Sequence, residues 1–119
     1  MNTPHLSCTF TIDIAAQRFT AFDGSEAIFG VDTTRILTDL EDFRRLPPPK
    51  YGRAVGLYFS RPDEADRFRQ AFAEFSAGHP CEYTAHMRNA ATRRFIPCRV
   101  CVTPSPDGKT AQGIITPEE

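Results

Sequence analysis

Apolar and polar side chains alternate along two neighbouring runs in the C-terminal half of the chain. The apolar members are Cys81, Tyr83, Ala85 and Met87 in the first run, and Ile96, Cys98, Val100 and Val102 in the second. A period of two places alternate side chains on one face, so the two runs predict a half-buried antiparallel hairpin. A two-residue turn at 90–91 predicts three cross-strand pairs: Cys81 with Val100, Tyr83 with Cys98, and Ala85 with Ile96.

Three more strands follow from the same reasoning. Ser105-Pro106-Asp107-Gly108 has the composition of a turn, so it predicts a second hairpin between the run that ends near 103 and the segment 109–116. Near the N-terminus, alternation over 8–14 predicts a strand, and 18–22 can return as its antiparallel partner. We therefore expect a sheet of about five strands, near 8–14, 18–22, 81–89, 93–103 and 109–116.

The middle of the chain has helical periodicity. Ala65, Phe68, Phe72 and Phe75 recur at steps of three and four residues between Pro62 and Gly78, which predicts one longer helix near 62–77. A weaker apolar stripe, Ile36, Leu37, Leu40 and Phe43, predicts a shorter helix before it.

Two further segments of the middle region contain residues that typically begin or end a helix. Asp23 and Glu26 fit the capping-box pattern of a helix start, and Gly30 is a natural helix stop, so a helix of one or two turns is expected between them. Three consecutive prolines at 47–49 cannot donate backbone hydrogen bonds, and we expect 47–59 to be a loop.

Length and charge narrow the class of protein. A chain of 119 residues predicts a single domain over 1–119, and 14 basic against 15 acidic side chains give a net charge of -1. That balance disfavours binding to nucleic acid or to an anionic membrane surface. The sequence has neither the ~18 consecutive apolar residues of a membrane span nor the pattern of a signal peptide. We expect a cytoplasmic protein that binds neither nucleic acid nor membrane.

Four cysteines, at 8, 81, 98 and 101, raise the question of a metal or redox site. Cys98 and Cys101 have the C-x-x-C spacing of such sites. On a strand, however, residues three apart point to opposite faces, so these two thiols are not expected to share a metal. Free, reduced cysteines and no metal site are the expectation for a cytoplasmic domain.

The order of elements and several short motifs resemble a PAS domain, the sensory box found ahead of GGDEF diguanylate cyclases and histidine kinases. The similar segments cover nearly the whole chain: Phe10–Asp13 with Arg18–Phe22, Ile28–Gly30, Leu40–Phe43, Arg61–Phe68, Gly78–Tyr83, Arg94–Ile96 and Pro104–Gly108. In Arg61-Pro62-Asp63, Arg replaces the His of the family's H-P-x-D motif, and the segment 47–58 resembles an insertion. Phe95 stands in place of a common Trp, and Ile114 in place of the Asp of a common Asp-Ile-Thr.

The resemblance implies an α+β fold in which short helices and one longer helix cover one face of the sheet. It also implies a sensory or interaction domain that holds a small ligand between the sheet and the helices. The pocket candidates are the apolar residues of those elements, with Tyr83 and Cys98 as polar handles: Phe10, Ile12, Ile28, Phe29, Leu40, Phe43, Phe68, Phe72, Tyr83, Ile96, Cys98 and Val100.

Haem and flavin are not expected as cofactors. PAS proteins that hold haem generally use a His of the long helix, and 65–77 contains none. The light-sensing PAS type needs a reactive Cys near the short helices, and 23–46 has no cysteine.

Two alternatives to a ligand sensor stay open. One is a ligand-free homodimerisation module whose own side chains fill the interior. The other is a small α+β barrel enzyme of the ketosteroid isomerase-like type, with Asp13, Asp23, Tyr83 and His86 as candidate proton-transfer groups. Since these residues are expected to lie apart, on strand faces and in caps, we expect no catalysis by the domain itself.

The C-terminus has the pattern of a helix start. Thr116 suits an N-cap, Pro117 the first helical position, and Glu118 and Glu119 the positive end of a helix dipole. By the resemblance, Ile115, Thr116, Pro117 and Glu118 would form the signal exit of a homodimer. They would connect it to a C-terminal diguanylate cyclase or histidine kinase domain.

Overall fold

Five antiparallel strands form one sheet in the computed structural model, which describes residues 7–118. They are β1 (Cys8–Asp13), β2 (Arg18–Asp23), β3 (Cys81–Asn89), β4 (Arg94–Pro104) and β5 (Thr110–Pro117). Their spatial order is β2-β1-β5-β4-β3, so the first strand pairs with the last at the centre of the sheet. The α+β class and the five-stranded antiparallel sheet agree with the sequence prediction.

The helices all lie between β2 and β3 in the chain. They are α1 (Ser25–Phe29), α2 (Thr33–Glu41), α3 (Pro48–Phe59), and α4 (Ala65–Ser76), which follows a 3₁₀ turn at Pro62–Glu64. The 3₁₀ turn and α4 together occupy the place of the predicted longer helix. The buried faces of helices and strands form one apolar core.

No helix within residues 7–118 is long and apolar enough to cross a lipid bilayer.

The prediction of a loop over 47–59 is wrong, because α3 occupies it. Pro48 and Pro49 lie at the first two helical positions, where backbone N–H groups have no partner within the helix and proline costs nothing. The amide of Tyr51 donates to the Pro47 carbonyl at 2.8 Å and closes the first turn. Tyr51, Val55 and Phe59, spaced by four, all face the core.

Two glycines of α3 allow it to approach α4 closely. A Cβ atom on Gly52 would lie 2.8 Å from the Cα of Arg69, and one on Gly56 would lie within van der Waals overlap of the Ala65 carbonyl oxygen. Both contacts involve α4 backbone. The close α3–α4 pair therefore depends on the missing side chains at these two positions.

The predicted pairing of β3 with β4 is wrong by two residues. Tyr83 lies opposite Val100, Ala85 opposite Cys98, and Cys81 opposite Val102. Because the shift is even, the same side chains still face the core.

Asn89 is the physical reason for the shift. Its carboxamide oxygen accepts hydrogen bonds from the amides of Ala91 and Thr92, both at 3.0 Å, and its main-chain carbonyl accepts from the amide of Arg93. Arg93 takes a left-handed conformation, with φ of 60°. These bonds close a four-residue turn in place of the predicted two-residue turn.

The helix starts also differ from the prediction. Asp23 ends β2 and does not cap α1, whose N-cap is Gly24 in the left-handed conformation with no side-chain hydrogen bond. Asp32 is the N-cap of α2, and its side chain accepts a hydrogen bond from the Arg35 amide. The predicted stop at Gly30 is present, with φ of 68°.

The predicted helix start at the C-terminus is wrong at Thr116 and Pro117, which lie in β5. Thr116 pairs with Arg99 and Pro117 with Cys98 on β4. The Glu118 amide donates to the Pro97 carbonyl at 2.8 Å, which extends the strand pairing by one bond. Glu119 lies outside the described residues.

Candidate ligand-binding cavity

A small cavity of about 20 Å³ lies between the inner face of the sheet and the helices. Both layers of the fold line it, and none of the lining side chains carries a charge. They are Phe10, Phe19, Phe22, Val55, Gly56, Phe59, Ser60, Phe68, Tyr83, Met87, Val100 and Ile115. The volume is slightly more than the ~10–15 Å³ that one water molecule needs, so the aromatic side chains nearly fill the interior.

Four of the twelve pocket candidates from the sequence line this cavity: Phe10, Phe68, Tyr83 and Val100. The other eight belong to the same core or pack against it but line other parts of the interior. They are Ile12, Ile28, Phe29, Leu40, Phe43, Phe72, Ile96 and Cys98. The structure therefore places the candidates in one apolar core and brings a third of them to the cavity.

Phe19 and Phe22 of β2 line the cavity although they were not among the candidates. Residues three apart on a regular strand point to opposite faces, yet both rings are buried. The pairing of β1 with β2 shifts between Thr11 and Ile12, so that Phe22 lies opposite Phe10 and Phe19 opposite Ile12. This bulge turns both rings inward, where their centroids lie 5.2 Å apart.

The helix α3 supplies three more lining residues, Val55, Gly56 and Phe59. The Phe59 ring is central to the aromatic cluster, with centroid distances of 4.9 Å to Phe29 and 5.9 Å to Phe22. The spacing of Val55 and Phe59 by four residues was the signal available in the sequence. The prolines before them and the glycines among them obscured it.

Polar groups at the cavity are few. The Ser60 hydroxyl donates to the Gly56 carbonyl at 2.6 Å. Tyr83 lines the cavity, and burial of its hydroxyl raises the pKa above the ordinary value, so it stays protonated. Cys98, the other predicted handle, is fully buried outside the cavity, and burial raises the pKa of its thiol to about 11.

One buried carboxylate, Glu64, lies at the edge of the sheet. It accepts the backbone amide of His86 at 2.8 Å, His86 Nδ1 at 3.0 Å and Arg67 Nη1 at 2.9 Å. Burial opposes ionisation of Glu64, but the hydrogen bonds from His86 and the charge of Arg67 outweigh it and hold the pKa below its ordinary value. This cluster joins the start of α4 to the edge strand β3 and does not line the cavity.

The four groups considered for proton transfer do not come together. Asp13 lies at one end of β1, opposite Arg18, whereas Asp23 lies opposite Thr9 at the other end. His86 is bonded to Glu64, and only Tyr83 lines the cavity. A general base and its partner must converge on one substrate, and this arrangement offers no such pair.

Cys98 and Cys101 point to opposite faces of β4, as their spacing predicts. Cys98 is buried in the core, while Cys101 is partly exposed, with its Sγ 3.5 Å from Glu82 Oε2. Among residues 7–118, no three His, Cys, Asp or Glu side chains are grouped as a metal site would require.

Neither the sequence models of known protein families nor the curated protein sequences give a match. Solved structures do. The PAS domain of the Cronobacter turicensis quorum-sensing receptor RpfR, in complex with C12:0, is similar with a TM-score of 0.67 at 13% identity over 100% of both chains. The same domain in complex with BDSF gives a TM-score of 0.63 at 15% identity, again over 100% of both chains.

Domains of signalling proteins are similar as well. The N-terminal domain of a Marinobacter aquaeolei diguanylate cyclase with PAS/PAC sensor has a TM-score of 0.65 at 12% identity over 93% of this chain and 94% of its own. A domain of a sensory box histidine kinase/response regulator from Geobacter sulfurreducens has a TM-score of 0.64 at 13% identity over 93% of this chain and 82% of its own. This chain has the fold of a PAS sensory-box domain.

Proposed function

We propose that the chain is the sensory PAS domain of a cytoplasmic signal-transduction protein. In this proposal it has no catalytic activity of its own, and it regulates a C-terminal diguanylate cyclase or histidine kinase domain. The observation that supports it best is the uncharged, aromatic cavity at the centre of a PAS fold, lined by both the sheet and the helices. A mostly apolar site with few polar groups suits a small apolar ligand.

The ligand would have to open the cavity, since about 20 Å³ is too small for anything beyond water. Tyr83 and Ser60 are the polar groups available to orient it. The similar domain of the quorum-sensing receptor is in complex with C12:0, which supports an aliphatic ligand for this fold. Binding would separate the aromatic rings of the cluster and so shift the strands that carry them. In this proposal, that shift of the sheet is the signal transmitted to an output domain.

A test of ligand occupancy uses two matched variants of β4. Val100 and Val102 are both 1% exposed and lie on the same face of the strand, but only Val100 lines the cavity. V100I adds one methylene to the cavity wall, and V102I adds it to packed core. Mass spectrometry of an organic extract of each purified protein should show a small molecule with the native chain and V102I, and less of it with V100I.

Equal amounts in both variants would place the ligand elsewhere. If no small molecule is extracted, and none of a set of aliphatic acids and alcohols binds to the native chain, the domain is not a ligand sensor.

A ligand-free homodimerisation module is the second candidate, and the small cavity favours it. The outer face of the sheet offers a contact: Ile114 on β5 is 41% exposed and lies between Thr9 on β1 and Cys101 on β4. The test is light scattering after gel filtration of I114E, with Q112E as a control on the same face of β5. A dimer that I114E alone dissociates supports this candidate, and a native monomer refutes it.

A further inference from the structure

A groove of about 800 Å³ opens on the surface beside the cavity, and we call it the outer groove. Its walls come from the end of α1 and the loop after it, the start and middle of α2, the end of α3, and the turn between β3 and β4 with the adjoining strand ends. They include Phe29, Arg35, Tyr58, Phe59, Arg88 and Arg93. Phe59 also lines the inner cavity, so its ring lies between the outer groove and that cavity.

The acidic side chains of the outer groove are already engaged. Asp39 Oδ2 accepts the Tyr58 hydroxyl at 2.7 Å and lies 3.4 Å from Arg35 Nε. Asp32 Oδ1 accepts the Arg35 amide at 2.8 Å as the N-cap of α2. Three arginines against these two aspartates leave the groove with a net charge of +1.

Arg88 and Arg93 have no carboxylate partner within residues 7–118. Arg88 Nη2 donates to the carbonyl oxygens of Leu57 and Tyr58, both at 3.0 Å, which fixes its guanidinium at the end of α3. The position of Arg93 is set by the turn that Asn89 closes. Two cations thus border the groove, one of them held by neutral acceptors only.

We propose that the outer groove is the entrance to the inner cavity and holds the anionic head of an amphipathic ligand. This inference rests on the proposed ligand-sensing function. The carboxylate of a fatty acid lies against Arg88 and Arg93, and its apolar tail passes the site of the Phe59 ring into the cavity. Phe59 rotates away to admit it.

The chemistry of the groove selects the class of ligand. A net charge of +1 matches a monoanion, whereas Asp32 and Asp39 would repel the second charge of a phosphate monoester. The planar fork of guanidinium donors fits the two oxygens of a carboxylate. Beyond the arginines, the walls are the aromatic and aliphatic side chains of Phe29, Ile36 and Phe59, which suit a hydrocarbon tail.

Adjacent arginines provide a matched test. Arg93 lines the outer groove, and its neighbour Arg94 does not. Isothermal titration calorimetry compares dodecanoate with dodecan-1-ol, which has the same chain and no charge, on the native chain, R93Q and R94Q. R93Q should weaken dodecanoate binding roughly 10- to 150-fold, the loss expected for one charge-assisted hydrogen bond. R94Q should leave it unchanged, and neither variant should affect the alcohol.

The variant F59L tests the entrance, because it removes the ring while keeping an apolar side chain. Association of dodecanoate, followed by stopped-flow tyrosine fluorescence to which Tyr58 contributes, should be faster in F59L than in the native chain. An unchanged rate would overturn the entrance. Equal affinities of R93Q and R94Q for dodecanoate would overturn the head-group site while leaving the ligand-sensing function intact. Failure of both ligands to bind the native chain would overturn that function together with this inference.

Discussion

Gly56→Ala should destabilise the protein, although alanine is the better helix former. A Cβ at position 56 would overlap the Ala65 carbonyl oxygen, and it would lie 2.8 Å from the carbonyl carbon and 2.9 Å from the Cα of that residue. All three atoms belong to α4 backbone, so no side-chain rotation relieves the contact. To restore ordinary contact distances, α3 must move away from α4 by more than an ångström.

The expected size of the effect comes from two opposing terms. The change from glycine to alanine within a helix contributes about 1 kcal/mol of stability. Overpacking of a tight contact costs about 1–3 kcal/mol and occasionally more, and this contact forces apart two helices that bury Tyr51, Val55 and Phe59. Since the contact is to rigid backbone, we place its cost at the upper end of that range, and the difference is a net loss of about 2 kcal/mol in the free energy of unfolding.

Urea unfolding followed by far-UV circular dichroism measures this difference. Gly52→Ala is the matched control on the same face of α3. Its Cβ would meet Arg69 at 2.8 Å or more, partly at side-chain atoms that can move. It should therefore lose less stability than Gly56→Ala. If Gly56→Ala instead stabilised the protein by about 1 kcal/mol, the close packing of α3 on α4 would be wrong.

Three further predictions concern single side chains. Glu64 has a pKa below its ordinary value of 4.5 in the folded state. Its contribution to the stability of the fold is therefore fully present above about pH 4.5 and is lost as the pH falls through the folded-state pKa. E64Q, which keeps an acceptor for the His86 amide, should lower the free energy of unfolding at neutral pH by about 1–3 kcal/mol. It should also reduce the fall of the urea midpoint at acid pH, and an unchanged fall would refute the role of the carboxylate. Asn89→Ala should cost about 2–4 kcal/mol, since it removes three hydrogen bonds at a buried position, and a loss under about 0.5 kcal/mol in thermal and urea unfolding would contradict the turn structure. Phe68→Ala, at 6% exposure, should cost about 3–5 kcal/mol, whereas Phe95→Ala, at 43% exposure, should cost less than about 1 kcal/mol; similar losses would show that α4 is misplaced.

The sheet could be predicted from the sequence because its signals are local. Alternation over 8–14 and 81–89 predicted the strands, of which the first ends one residue earlier, at Asp13, and the turn at Ser105–Gly108 joined β4 to β5 where expected. The stripe from Ala65 to Phe75 marked the long helix for the same reason. A period of two or 3.6 residues between apolar side chains can be recognised within one short segment, without knowledge of distant contacts.

The features that were missed depend on contacts between distant segments. The side-chain nitrogen of Asn89 donates to the Ile28 carbonyl, 61 residues earlier. This bond orients the carboxamide whose oxygen closes the turn, and no local pattern indicates it. The bulge that turns Phe19 and Phe22 inward likewise depends on how β1 meets β2. Such tertiary choices override local periodicity.

The largest error in the prediction fell on the segment that matters most for the cavity. A run of prolines ends a helix when it follows one, but it can also begin one, and only the spacing of Tyr51, Val55 and Phe59 distinguishes the two cases. Once α3 is a helix, Gly56 brings it against α4, and Phe59 reaches the point where the outer groove meets the cavity. The same twelve residues thus fix the packing of the helical layer and supply Phe59 to the entrance that we propose. A substitution that moves α3 should therefore change stability and, under that proposal, ligand access together.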